Sequence, residues 1–297
     1  MRIRVLGACA GGGLPQWNCG GEPSTRARAG DPDVPPRMQP SLAVSADGER
    51  WSLLNASPDL RAQFNAFPGL HPRPGTRNVP LDSVVLTSAE LDHTVGLLSL
   101  HETLSYRILS TRWVRDSILD ENAAWRLLEP AWSALPLDRP MFLDRDEQLE
   151  TRFFPVPGKL PDYLRGTARL DKETCVGLRI TDVRSGKRLA FVPALKNMDP
   201  GTLAELAHAD VRFVDGTFYS ADELQAMRPG APDAFALGHL PITGPGGSLT
   251  DLAELSGRSL YFHINGTNPV LDVQSPERAH VEACGIEIAE DGVEFAL

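Results

Sequence analysis

An αββα sandwich of the α/β class, with mixed sheets and outer helices, is the architecture that the sequence predicts. Three observations lead to it. Strand-like alternation comes early and late with helical stretches between, hairpins coexist with strand-to-helix units, and no fixed-period repeat is present. The 297 residues can bury one large core, and we read residues 1–297 as a single domain.

The elements follow in order. Apolar alternation predicts a strand over Arg2 to Leu6, then a hairpin of Ser41 to Val44 and Trp51 to Leu54 turning at Asp47-Gly48. Ser57-Pro58-Asp59 opens a helix, with Ser57 as the cap and Pro58 at the first helical position, ending before Pro68-Gly69. Ser83 to Leu86 is a short apolar strand; Asp92-His93 sits on the loop after it, and Val95, Leu97, Leu98 and Leu100 mark a buried helix beyond. Val176 to Thr181 and Arg188 to Val192 form a hairpin about Ser185-Gly186-Lys187. Val211 to Val214 is a strand ending at Asp215, and a helix around Ser248 to Leu255 precedes the strand Ser259 to Phe262, which delivers His263. A last hairpin pairs Ile286 to Ile288 with Val293 to Phe295 around Asp291-Gly292. The Pro- and Gly-rich stretches Gly20 to Pro40 and Pro155 to Pro161 are expected as ordered surface loops near the site.

A formal charge of −10 opposes a phosphate-neutralising surface, so nucleic acid is excluded as the expected partner and a small molecule is preferred. No apolar run approaches the ~18 residues of a spanning helix, and no leader region opens the chain, so a cytoplasmic protein without a membrane partner is expected. The oligomeric state is open. Cys9, Cys19, Cys175 and Cys284 form no Cys-x-x-Cys pair and are read as reduced thiols.

Asp92, His93, Asp215 and His263 each fall at or just past the end of a predicted apolar strand, where open α/β sheets place ligands. Two imidazoles and two carboxylates can cage a divalent metal: zinc accepts them, and with open positions they also suit Fe(II). Taken singly, a strand-end Asp caps turns and a lone His sits in cores; the set carries the inference. Ser88-Ala89-Glu90-Leu91-Asp92-His93 is half of the two-metal pattern His-x-His-x-Asp-His, with Ser88 and Glu90 where the first site needs imidazoles. One metal is the economical reading, which weakens two-metal hydrolysis. Gly11-Gly12-Gly13 meets no phosphate-loop fingerprint, because no Gly-Lys-Ser/Thr follows and Leu14-Pro15 opposes helix entry. Arg37, Arg61 and Lys159 are candidates to bind substrate carboxylates, and Asn265 and Asn268 to line the pocket or orient ligands.

The segment Thr87 to His93, Val214-Asp215-Gly216-Thr217 and Phe262-His263-Ile264-Asn265 resemble the metallo-β-lactamase superfamily. Longer motifs narrow the match: Gly7 to Cys19, Leu54 to Arg61, Gly238-His239 followed by Gly244-Pro245-Gly246-Gly247, and His263 to Pro269 together resemble the pyrroloquinoline quinone biosynthesis protein B family, over essentially the whole chain. The resemblance implies that Asp92, His93, Asp215 and His263 are the second-site metal ligands. It makes His239 an acid/base candidate that does not ligate metal; Ser88 and Glu90 are further catalytic candidates that could hydrogen-bond substrate or water across the vacated site, with Glu90 as a metal ligand left open. It further implies iron-dependent hydroxylation of the tyrosine ring in a Glu-Tyr crosslinked precursor, with zinc as the alternative metal. A carrier for the quinone product and a zinc-dependent (phospho)ester hydrolase are the rival functions. Many members continue from the position of Cys19 into further cysteines that hold a structural zinc; here Gly20-Gly21-Glu22-Pro23-Ser24 follows, so that zinc is not expected. The chain is then either a member that dispenses with it or a paralogue with another substrate.

Overall fold

A computed structural model describes all residues from Met1 to Leu297. Two seven-stranded sheets pack face to face. The chain runs β1 (Arg2–Gly7), α1 (Glu22–Arg28), β2 (Ser41–Ser45), β3 (Trp51–Leu54), α2 (Leu60–Ala66), β4 (Leu81–Val85), α3 (Leu91–Thr94), β5 (Arg107–Thr111), α4 (Arg112–Glu121), β6 (Trp132–Leu135), β7 (Met141–Phe142) and β8 (Leu149–Pro155). It continues β9 (Val176–Asp182), β10 (Arg188–Val192), α5 (Pro200–Ala207), β11 (Val211–Asp215), α6 (Glu223–Met227), α7 (Leu249–Ala253), β12 (Arg258–Phe262), α8 (Pro276–Ala283), β13 (Ile286–Ile288) and β14 (Glu294–Ala296). The first sheet has the order β14-β1-β2-β3-β4-β5-β6 and the second β13-β12-β11-β10-β9-β8-β7.

The period of two explains the layering. On β2 to β5, Leu42, Val44, Leu54, Val85 and Leu109 face the second sheet and meet Phe153, Leu178, Phe191, Phe213 and Phe262. Their neighbours Ala43, Leu53, Val84 and Ile108 point the other way, under Leu60 of α2 and Val114 and Ile118 of α4. The second sheet is covered likewise, with Ala190, Val192, Val214 and Tyr261 under Leu206 of α5, Leu252 of α7 and Val281 of α8. Strands buried on both faces read as near-continuous apolar runs. Each fully buried side chain of this kind contributes about 1.5 to 3 kcal/mol.

Both sheets are mixed. β1 to β3 are antiparallel and β3 to β6 parallel; β7 to β10 are antiparallel and β10 to β13 parallel. The parallel halves bring the carboxyl ends of β4, β11 and β12 to one edge, where the site lies. The two early hairpins form as expected, with Leu42 opposite Leu54 and Leu189 opposite Ile180.

Four local expectations change. Ser57 does not cap α2: its hydroxyl is buried without a partner, Asp59 takes the N-cap place, and Pro58 lies outside the helix. Asp92 and His93 are not on a loop but inside the single turn of α3, and the apolar stretch Val95–Leu100 after it is a 3-10 helix. The predicted final hairpin does not exist: β13 pairs with β12 in the second sheet, whereas β14 pairs with β1 in the first. Asp291 explains the divergence, since its carboxylate accepts the amides of Ala8 and Met38 and turns the chain from one sheet to the other. The stretch Gly20 to Pro40 carries α1 rather than being all loop. All four cysteines are free, and no helix is long and apolar enough to cross a membrane.

Candidate metal centre

Asn55 begins the site from below. It adopts a left-handed backbone (φ 63°), which turns its amide across to β4; its Oδ1 accepts the Thr87 amide at 3.0 Å and its Nδ2 donates to Thr87 Oγ1 at 3.0 Å. This fixes the exit of β4. The chain then folds back so that Ser88 Oγ lies 2.7 Å from His93 Nδ1. With the Nδ1 proton donated to that hydroxyl, His93 presents Nε2 to the centre, and this nitrogen is buried with no hydrogen-bond partner.

His263 arrives from the end of β12, also left-handed at φ 63°. Thr217 Oγ1 lies 2.8 Å from its Nδ1, and its Nε2 lies 3.0 Å from Asp92 Oδ2. Both imidazoles are therefore held through Nδ1 by a hydroxyl and turn Nε2 inward. Asp215, at the end of β11, is more heavily engaged: Oδ2 accepts the Leu195 amide at 2.8 Å and faces His239 Nδ1 at 2.7 Å, while Oδ1 accepts the Thr217 amide at 2.9 Å.

The four expected ligands do not make one set. They fall into two overlapping groups that share His263, namely Asp92, His93 and His263, and Asp215, His239 and His263, with ligand atoms in each group within 4.8 Å of one another. A divalent metal fits the first group best, because the unpaired His93 Nε2 needs an electrophile and Asp92 and His263 converge beside it. Asp215 lies in the second group, joined to the first through His263. His239, expected outside the coordination sphere, lies within the second group, its ring stacked on that of His263 with centroids 5.4 Å apart.

The electrostatics suit a cation. Burial pushes the Asp92 carboxyl up, but His93 and His263 overcome it and hold it below the usual carboxylate range. For Asp215 burial acts upward in the same way, and His239 brings it down. Burial lowers His93 to about 4, only partly offset by Asp92, so this imidazole is neutral and free to ligate. His263 is depressed by burial, yet its bond to Asp92 carries it above its ordinary value.

This cluster lies at the base of a cavity of about 750 Å³, within the size range of small-molecule sites. Glu90, Lys159, Gln16 and Asn265 supply its polar wall, and Phe218 and Leu237 part of its apolar one. Gly11 is pressed against the metal group, where a Cβ would stand 3.2 Å from Asp92 Oδ2, so the glycine run serves close approach of the backbone.

The remaining sequence candidates divide. Lys159, Glu90, His239 and Asn265 line the cavity. Ser88 is buried and spent on His93 instead of facing a substrate. Arg37 is buried elsewhere, donating to the Ala289 carbonyl and Glu290, because it serves the same sheet-to-sheet turn as Asp291. Arg61 is solvent-exposed on α2 and does not line the cavity. Asn268 is fully buried and donates to the carbonyls of Gly216 and Thr217, holding the loop behind Asp215. Thr217 is the residue that sequence reasoning left without a role: its hydroxyl stands 2.6 Å from Asp215, 2.8 Å from His263 and 3.0 Å from His239. A hydroxyl two residues past a strand-end aspartate was the available signal.

A family model described as a β-lactamase superfamily domain matches residues 50–264. Coenzyme PQQ synthesis protein B from Methylobacterium nodulans is 42% identical over the whole of both chains. Among solved structures, Zn(2+)-bound PqqB from Methylobacterium extorquens superposes with a TM-score of 0.94 at 39% identity, again over the whole of both chains. A diphosphatase from the PhnP family superposes with a TM-score of 0.68 at 17% identity over 100% of this chain and 97% of its own, a likeness of fold alone.

Proposed function

This chain belongs to the coenzyme PQQ synthesis protein B family, within the β-lactamase superfamily, and on that premise we propose that it hydroxylates a tyrosine-derived precursor in pyrroloquinoline quinone synthesis, using one divalent metal. The observation that carries the reading is the unpaired His93 Nε2 beside Asp92 and His263 at the base of a substrate-sized cavity.

Asp92, His93 and His263 would hold the ion, with Asp215 in the neighbouring group that shares His263. Ferrous iron bound there would supply dioxygen activation: one oxygen atom enters an aryl C–H bond as hydroxyl, and the other leaves as water with two electrons and two protons from an external reductant. The protein's own groups do the rest. Phe218 and Leu237 give an aromatic ring an apolar wall, and Lys159 and Asn265 offer donors to the carboxylates of an amino-acid substrate. His239, backed by Asp215 at 2.7 Å, leaves its Nε2 for the cavity and can take up the proton released from the ring carbon. The Zn(2+) of the Methylobacterium extorquens relative supports a divalent site and leaves iron to be established here.

Anaerobic loading with Fe(II) or Zn(II), followed by oxygen and a glutamate- and tyrosine-containing precursor, is the direct test. Oxygen uptake and a product heavier by one oxygen atom with iron alone are expected. Metal-independent tight binding of the quinone without turnover would make the protein a carrier, and ester cleavage with two bound zinc ions would make it a hydrolase.

A further inference from the structure

Ser88 and Glu90 stand where a first metal site would need imidazoles, yet the space between them and the cavity is not vacant of charge. Lys159 reaches into it from the loop after β8. Its Nζ lies 3.6 Å from Glu90 Oε1 and 3.3 Å from Asp162 Oδ1, and the side chain is only about a quarter exposed. The loop is fastened to the half-signature itself, since the Tyr163 hydroxyl donates to the Ala89 carbonyl at 2.8 Å. On the other side Gly238, left-handed at φ 86°, makes room for the lysine stem; a Cβ there would stand 2.7 Å from Lys159 Cγ. Gly158 is equally confined, with a Cβ meeting Cys175 Sγ at 2.3 Å. The stem is thus packed on Gly238, and the ammonium pairs with Asp162 and with Glu90, the carboxylate that replaces a metal ligand.

We propose that Lys159 supplies, in place of a second metal ion, the fixed positive charge of this site: its ammonium neutralises Glu90, bars a second divalent cation, and receives a carboxylate of the substrate. The inference rests on the cavity being the substrate site. An ammonium is a compact point charge, and a doubly charged ion within a few ångströms of it, sharing the same carboxylate, meets direct repulsion. Removing the charge leaves Glu90 without its cation beside Asp92, while Asp162 keeps Arg165 at 2.8 Å, and the freed carboxylate is a ligand that a hard or borderline divalent ion accepts.

The test is a calorimetric titration of metal-depleted protein with Zn(II), which does not depend on turnover. The unaltered protein and K159R take up one equivalent, whereas K159A takes up a second, weaker one. K159A also binds glutamyl-tyrosine about tenfold or more weakly than the unaltered protein. The first equivalent reports in the same titration that the variant is folded; if K159A loses it, K159M, which keeps the stem packed on Gly238, carries the test. Two equivalents in the unaltered protein or in K159R, one equivalent in the charge-free variant, or unchanged dipeptide affinity overturns the proposal. Absence of oxygen uptake, by contrast, would count against hydroxylation and leave the stoichiometry intact.

Discussion

On the Asp92 side of the cavity floor, the two imidazoles are locked from behind by buried hydroxyls, Ser88 on His93 and Thr217 on His263, whereas on the Glu90 side the charged groups pair only with one another across half-open space. The same six-residue segment builds both. Its second half, Asp92-His93, keeps the residue types of a metal site and is held from behind; its first half lacks them, and one of its residues, Ser88, serves the other half. A position that the two-metal pattern gives to an imidazole can therefore serve as support for the neighbouring imidazole.

The contrast breaks most completely if the rigid side is emptied. A His93→Ala, His263→Ala double variant should lose stoichiometric metal and reduce turnover by about 100-fold or more, read by elemental analysis and oxygen uptake. Full activity in that variant would end the metal-centred account. A smaller effect isolates the support: Ser88→Ala frees His93 Nδ1, and metal affinity should fall by about 10- to 100-fold in a competition titration, with the fold retained. An unchanged affinity would mean that Ser88 is only a residue left in the old position.

The gentlest test varies pH. Below its raised value His263 is protonated, so an incoming metal must displace that proton; His93, lowered to about 4, is already neutral and has none to give between pH 5 and 8. Metal affinity should rise with pH by up to about one log unit per pH unit and level off once His263 is neutral. A slope near two would show that His93 also binds a proton in this range.

The sandwich and the meeting of the four candidate residues at one sheet edge were legible because both follow from one regularity. Buried strands are apolar runs, and a polar residue that ends such a run lies at a sheet edge, which is how Asp92, His93, Asp215 and His263 could be singled out. Glu90, Lys159, His239 and Asn265 also reached the cavity as expected. What stayed hidden depends on partners distant in sequence. Asp291-Gly292 reads as a hairpin turn, but Asp291 is claimed by the amides of Ala8 and Met38, and so the flanking strands join different sheets. Arg37 reads as a free cation until the Ala289 carbonyl and Glu290 are found around it. Ser57 has the chemistry of a cap without the position, because the helix starts three residues later at Leu60.

The bond between His263 Nε2 and Asp92 Oδ2 crosses from the second sheet to the first. An ion bound there would be a cross-brace, tying the segment after β4 to the ends of β11 and β12. Since those residues meet only when the two layers have docked, binding would draw on the free energy of docking itself, adding about 2.7 kcal/mol to global stability at a free concentration one hundred times Kd. Chelation would then loosen the seam between the layers as well as empty a reaction centre, making metal supply a control on how long the folded chain survives.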